Sequence, residues 1–100
     1  MKNKLCDIKN VSVLFVRTDT FLDKFKIRVK IYKTVRQINK PLLILCTGKY
    51  AVHTGEKLFN HMYKKIDLAK IQYVQYISYL SGSTNTVEQD INHFIHRMKV

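Results

Sequence analysis

The sequence predicts a small α/β protein of the two-layer α+β kind, in which strands and helices alternate. Three short apolar, β-branched segments recur along the chain, and the stretches between them repeat apolar residues at helical spacing. The 100 residues include only three glycines and one proline, and 46% are hydrophobic, which suffices for one small core. We therefore expect residues 1–100 to form a single domain.

The first part of the chain predicts a strand and then a helix. Residues 11–16 (VSVLFV) are apolar and β-branched, as in a buried strand. Thr20 and Asp23 have the spacing of a capping box, which opens a helix. Residues 24–31 alternate as a strand would, but the run continues to about Ile38 and exceeds the usual length of strands, so we predict a helix. The apolar stripe of this helix comprises Phe21, Phe25, Val29, Tyr32 and Val35.

The remainder predicts two further strands or three, depending on its last segment. Residues 42–46 (LLILC) read as a buried strand, and apolar side chains then recur at helical spacing over about 50–65. Residues 71–80 are aromatic and β-branched, which indicates a third strand. Residues 86–99 fit a helix by local spacing, but alternation near their end also fits a final strand, so both structures remain open.

The charge balance points to polyanions. Eighteen lysines and arginines stand against seven acidic residues, which gives a formal net charge of +11. Such a charge on a small domain favours nucleic acid first and an anionic membrane surface second. The same lysine-rich composition also arises from an AT-rich genome, since isoleucine, asparagine and tyrosine are abundant as well.

The amino terminus and the cysteines indicate an intracellular protein, cytoplasmic or nuclear. No apolar signal segment follows Met1, and the only cysteines, Cys6 and Cys46, read as reduced thiols. The longest apolar run, residues 41–46, is far too short to span a bilayer, so we expect no membrane partner.

Several motifs suggest chemistry that the rest of the chain does not support. Residues 53–57 spell HTGEK, the linker of tandem zinc fingers, but no closely spaced cysteine pair exists, so we place them in the second helix. His93 and His96 lack further ligands, and we expect neither a metal nor another cofactor. Cys46 closes an apolar strand and reads as core, although a nucleophilic role remains the third hypothesis. We therefore expect no enzymatic activity.

The turn after the second predicted strand is a candidate phosphate site. Thr47, Gly48 and Lys49 lead from the strand into a helix that begins near Ala51. Glycine permits a tight turn, and a helix amino terminus presents free N–H groups to an anion. An ordinary strand-to-helix turn with solvated lysines explains the same letters equally well.

This arrangement resembles the Alba superfamily of small basic nucleic-acid-binding proteins, which includes subunits of ribonuclease P and MRP. The matching segments are, in chain order, residues 11–16 with the helix after them, 42–46 with Gly48, Ala51-Val52, and 71–80. The resemblance implies the order β-α-β-α-β-β with residues 91–100 as the last strand. It also implies RNA as the preferred ligand and a homodimer, or a heterodimer with a related chain.

Our leading hypothesis is thus a nucleic-acid-binding protein that contacts phosphates. The expected contact residues are all basic: Arg17, Lys24, Lys49, Lys57 and Arg97. Where the family carries basic residues after its first strand, only Arg17 is basic here, followed by Thr18 and Asp19. Tyrosines of the third strand could stack on bases, although burial is the plainer expectation. The alternative is a small basic interaction module for an acidic protein partner, which exposed apolar side chains beside the charge would favour.

Overall fold

The structure is a computed structural model that describes residues 4–8, 10–65, 73–79 and 85–98, without the side chains at 24, 59 and 61–65. Its elements are β1 (Lys4–Ile8), β2 (Val11–Arg17), α1 (Phe21–Gln37), β3 (Leu42–Thr47), α2 (Ala51–Lys65), β4 (Val74–Tyr79) and α3 (Val87–Met98). Among these described helices, none is both long and apolar enough to cross a membrane.

The four strands form one sheet in the order β1-β2-β3-β4. β1 is antiparallel to β2, whereas β2, β3 and β4 are parallel, with Leu14 opposite Ile44 and Ile44 opposite Tyr76. Helices α1 and α2 are the crossovers between the parallel strands. Because these strands lie in chain order, both helices pack on the same face, and the turns that follow β2 and β3 meet at one edge of the sheet.

The two faces of the sheet build two separate cores. Alternation along β2 directs Leu14 and Val16 towards α1 and α2, and Val11 and Val13 towards α3. The second core is completed by Leu43, Leu45, Tyr79 and Phe94. The molecule therefore has three layers, one more than the sequence predicts, because α3 covers the face that a two-layer arrangement leaves open.

Helix α1 begins with the predicted capping box, which is confirmed. The Thr20 hydroxyl accepts a hydrogen bond from the Asp23 amide (3.2 Å), and the Asp23 carboxylate accepts one from the Thr20 amide (3.0 Å). The hydrogen bond from the Thr20 backbone amide, followed by the influence of the Thr20 side chain, lowers the pKa of the Asp23 carboxyl group. The negative charge is thus held at the positive end of the helix dipole.

The predicted stripe of α1 packs on the first core only at its carboxy-terminal end, where Val35 is buried and Tyr32 is partly buried. Ile27 and Ile31 are buried in the first core together with Val35, while Phe21 and Phe25 of the predicted stripe are exposed. Both stripes repeat at helical spacing and both end at Val35, so spacing alone does not distinguish them. The consequence is a row of large side chains on the outer face of α1.

The amino-terminal strand is an element that the sequence did not indicate. β1 pairs along its whole length with β2, and the Ser12 hydroxyl donates a hydrogen bond to Asp7 (2.7 Å). Most of β1 is exposed, as expected for an edge strand. Its short, mixed sequence carries no periodic signal of its own.

The carboxy-terminal segment is helical, so the helical alternative for residues 86–99 is confirmed over Val87–Met98. The Asp90 carboxylate accepts hydrogen bonds from the hydroxyl groups of Tyr79 (2.5 Å) and Thr86 (3.2 Å), which anchors the first turn of α3 to β4. Phe94 then fills the second core. Because a strand precedes and a helix follows the expected elements, the described structure does not confirm the fold implied by the Alba resemblance.

Candidate functional site

The turns after β2 and β3 are tied together at the carboxyl edge of the sheet. The Thr18 amide donates to the Thr47 carbonyl (2.8 Å), and the Tyr50 amide donates to the Thr18 carbonyl (3.0 Å). Between them, Gly48 has a φ of 110°, in the region that favours glycine. These contacts fix Lys49 and the amino terminus of α2 relative to the sheet.

Arg17 and Lys49 both lie exposed at this edge, but their charges are not equally available. Arg17 Nε is 2.5 Å from Asp19 Oδ2, so a neighbouring carboxylate compensates its charge. Lys49 Nζ lies 5.8 Å from the centre of the Tyr50 ring. The first turn of α2, all of whose residues are described, contains no acidic residue. The positive end of the helix dipole therefore adds to the charge of Lys49.

The other predicted contact residues are distributed over three helices. Lys24 lies in the first turn of α1, with its side chain outside the described atoms, and Lys57 is exposed on α2. Arg97 is exposed in the last turn of α3, where its guanidinium lies 5.5 Å from the Phe94 ring centre. Since α3 covers the opposite face of the sheet, Arg97 does not join Lys49 in one surface.

A groove with a volume of about 510 Å³ lies between α1 and α2. The described residues that line it are Phe25, Arg28, Val29, Tyr32, Lys33, Arg36 and Leu58. Three of these described residues are basic and none is acidic. The groove is therefore apolar at its base and strongly positive along α1.

Each of two guanidinium groups in this groove rests on an aromatic ring. Arg28 lies 5.0 Å from the centre of the Phe25 ring, and Arg36 lies 5.6 Å from that of Tyr32. Cation–π contacts of this kind restrain the long arginine side chains without neutralising their charge. The arrangement places two guanidinium groups at the rim of the groove.

A row of aromatic rings joins this groove to the strand-end turn. The rings of Phe25 and Phe21 are 5.5 Å apart between centres, and those of Phe21 and Tyr50 are 6.3 Å apart, both edge to face. With the cations at its two ends, the row forms what we call the aromatic–basic strip, comprising Lys49, Tyr50, Phe21, Phe25 and Arg28. The strip and the groove are continuous at Phe25 and Arg28.

Sequence reasoning missed this surface because it assigned Phe21 and Phe25 to the buried stripe of α1. A signal was present in the competing stripe of Ile27, Ile31 and Val35, whose burial turns Arg28 and the rings outward. Of the predicted contact residues, only Lys49 belongs to the strip.

The tyrosines of the third predicted strand have three different environments. Tyr79 is buried against α3, as expected, and Tyr76 is half-buried with its hydroxyl donating to the Ala51 carbonyl (2.6 Å). Tyr73, just before β4, is half exposed at 50%. Of the described tyrosines on this segment, Tyr73 alone offers substantial ring surface.

Cys46 is enclosed beneath the start of α2. Its sulfur lies 3.6 Å from the Thr18 hydroxyl, and its side chain is fully buried in the first core. Burial raises the pKa of the Cys46 thiol, which disfavours the thiolate that a nucleophile requires. This environment is that of a core residue.

We expect iodoacetamide to modify Cys6, which is partly exposed, at least about tenfold faster than Cys46 in the native protein, because only local unfolding uncovers the buried thiol. Peptide mass spectrometry over a time course measures both rates in one sample. In urea the two rates should converge. Equal native rates would contradict the enclosed thiol and would restore Cys46 as a candidate nucleophile.

The remaining sequence motifs do not form a candidate site among the described residues. HTGEK lies within α2, as predicted, and His93 and His96 are both exposed on α3. In the described part of the chain, no group of three His, Cys, Asp or Glu side chains is placed to hold a metal ion. No family model, curated protein or solved structure matches this chain.

Proposed function

We propose that this protein is a non-enzymatic nucleic-acid-binding protein whose binding surface is the groove of α1 together with the aromatic–basic strip. The observation that carries the proposal is the groove itself, in which Arg28, Lys33 and Arg36 follow one helix beside the rings of Phe25 and Tyr32. A linear array of cations complements a linear polyanion, and rings beside it suit bases.

Lys49 extends this surface to the strand-end turn. Its ammonium group and the amino terminus of α2, whose first turn contains no acidic residue, favour a phosphate at that point. Contacts of this kind hold the backbone of a nucleic acid and carry no sequence information. We therefore expect affinity with little sequence preference.

The test is fluorescence anisotropy with single-stranded RNA, duplex RNA and duplex DNA across a salt series. We compare the native protein with a groove variant, Arg28→Gln, Lys33→Gln and Arg36→Gln. Loss of three phosphate contacts should weaken binding and reduce the slope of log affinity against log salt by about 2 for a single strand.

A matched control removes the same charge away from the groove, with Lys4→Gln, Lys40→Gln and Arg97→Gln. All three side chains are exposed, and Arg97 lies on the far face of the sheet. The control should retain most of the affinity. An equal loss in both variants, or no binding by the native protein between about 50 and 200 mM salt, would contradict the proposal.

Within this proposal, RNA is the preferred polymer and a second copy or a related chain the expected partner. Both expectations rest only on the Alba resemblance of residues 11–80. The comparison of RNA with DNA in the same titrations tests the preferred polymer. Sedimentation at two protein concentrations tests whether the chain pairs with a second copy.

A second candidate is an interaction module that docks an acidic protein. It is favoured by aliphatic side chains exposed beside the charge, Leu22, Val29 and Val52, which stack poorly on bases. An acidic amphipathic helical peptide should then bind, and Leu22→Gln should abolish its binding while sparing nucleic acid.

A further inference from the structure

The aromatic rings that α1 exposes are not among the buried residues that pack on the sheet. Ile27, Ile31 and Val35 already complete the face of the helix that packs on the sheet. Phe21 and Phe25 are nevertheless held in the open, with 57% and 44% of their surface exposed. Large apolar side chains that are exposed next to one another are typical of interaction sites.

Phe21, Phe25 and the Arg28 guanidinium lie side by side on α1, and we call these three groups the platform. Phe21 and Phe25 meet edge to face at 71°, so their faces point in different directions. The Arg28 guanidinium over Phe25 adds a second planar, positively charged surface. From Phe21 to Arg36 the helix axis spans roughly 22 Å, with the two exposed phenylalanines in its first part and the groove cations following from Arg28 onward.

A duplex cannot use this platform, because its bases are stacked on one another and present only their edges in the grooves. An unpaired strand can turn base faces onto aromatic rings while its phosphates follow the cations. The exposed phenylalanines therefore distinguish the two forms of nucleic acid, whereas the cations attract both.

We propose that the ligand is an unpaired strand whose bases stack on Phe21 and Phe25 while its phosphates lie along Arg28, Lys33 and Arg36. This inference rests on the proposed function and names its ligand class. The rings provide the selectivity for a single strand, and the groove cations provide the salt dependence of binding. Substituting the rings and the cations in separate variants therefore measures the two contributions separately.

The experiment compares a labelled RNA of about 12 nucleotides, alone and annealed to its complement, at one salt concentration. We expect the native protein to bind the single strand at least about tenfold more tightly than the duplex. The variant Phe21→Leu with Phe25→Leu keeps apolar surface but removes the rings. It should lose about tenfold or more on the single strand and retain its duplex affinity and salt slope.

Tyr73→Leu is the matched control, because Tyr73 is also about half exposed but lies beside β4. Its single-strand affinity should stay at the native level. A Phe21→Trp variant gives a second readout, since the chain contains no other tryptophan. The fluorescence of its indole should be quenched by the single strand and not by the duplex.

The outcomes separate the two proposals. Binding of both forms with equal affinity, unaffected by the leucine substitutions, overturns the stacking inference and leaves the proposed function standing. If the Tyr73→Leu variant loses single-strand affinity instead, the stacking inference is overturned, because the bases would then lie beside β4. Binding of no nucleic acid, with an acidic peptide bound in a manner sensitive to Phe21→Leu and Phe25→Leu, overturns both in favour of a protein partner.

Discussion

Replacing Gly48 with alanine is expected to lower the free energy of unfolding by about 3 kcal/mol. The φ of 110° strains any L-residue with a side chain, and an added Cβ would come within 2.6 Å of the Thr18 carbonyl oxygen and 2.8 Å of Asp19 Oδ1. The first of these contacts is backbone, which cannot move without breaking the bonds that tie the two turns. Urea denaturation followed by circular dichroism measures the loss.

Lys49→Ala, one residue further on, is the control for this substitution. Lys49 is exposed, so its replacement should change the free energy of unfolding by less than about 0.5 kcal/mol. A Gly48→Ala protein within 1 kcal/mol of the native one, roughly the average cost of a point mutation, would show that the turn is not held as described.

Alanine at Gly55 is expected to destabilise the protein by about 2 kcal/mol, although alanine is the better helix former by about 1 kcal/mol. Gly55 lies in α2 above the ring of Tyr76, and an added Cβ would approach that ring to 2.5 Å. The ring has little freedom to retreat, because its hydroxyl donates to the Ala51 carbonyl in the same helix. Steric cost thus outweighs propensity.

Two comparisons test this explanation. Asn60→Ala, on an exposed position of the same helix, should be stabilising by up to about 0.7 kcal/mol. In a Tyr76→Leu background, which removes the ring, Gly55→Ala should cost nothing or add stability. Additive costs in that double-mutant cycle would place the effect of Gly55→Ala somewhere other than the contact with Tyr76.

The elements that the sequence predicts well are those where composition and periodicity agree. Residues 42–46 are apolar throughout, as a strand covered on both faces must be. The observed β3 differs from the predicted strand only by including Thr47. Gly48 then ends the strand, and α2 follows with its apolar face at helical spacing. Here each local preference leads to the same structure as the tertiary packing.

The orientation of α1, and with it most of the candidate site, could not be predicted in this way. Two stripes share the helix, and it is the packing of α1 on the sheet that buries the isoleucines and leaves the phenylalanines exposed. β1 presents the same difficulty, because its position depends on the free edge of β2 and not on any pattern in Lys4–Ile8. Local sequence does not contain these tertiary choices.

The strand order also has a consequence for synthesis of the chain. Because every strand pairs with its neighbour in the sequence, the sheet can grow from the amino terminus as the polypeptide leaves the ribosome, and α1 and α2 cover one side as it grows. The other side, with Val13 and Leu43 at its centre, has to wait for Phe94. For much of its synthesis the nascent protein therefore carries a bare apolar surface, which is the kind of surface that chaperones shield.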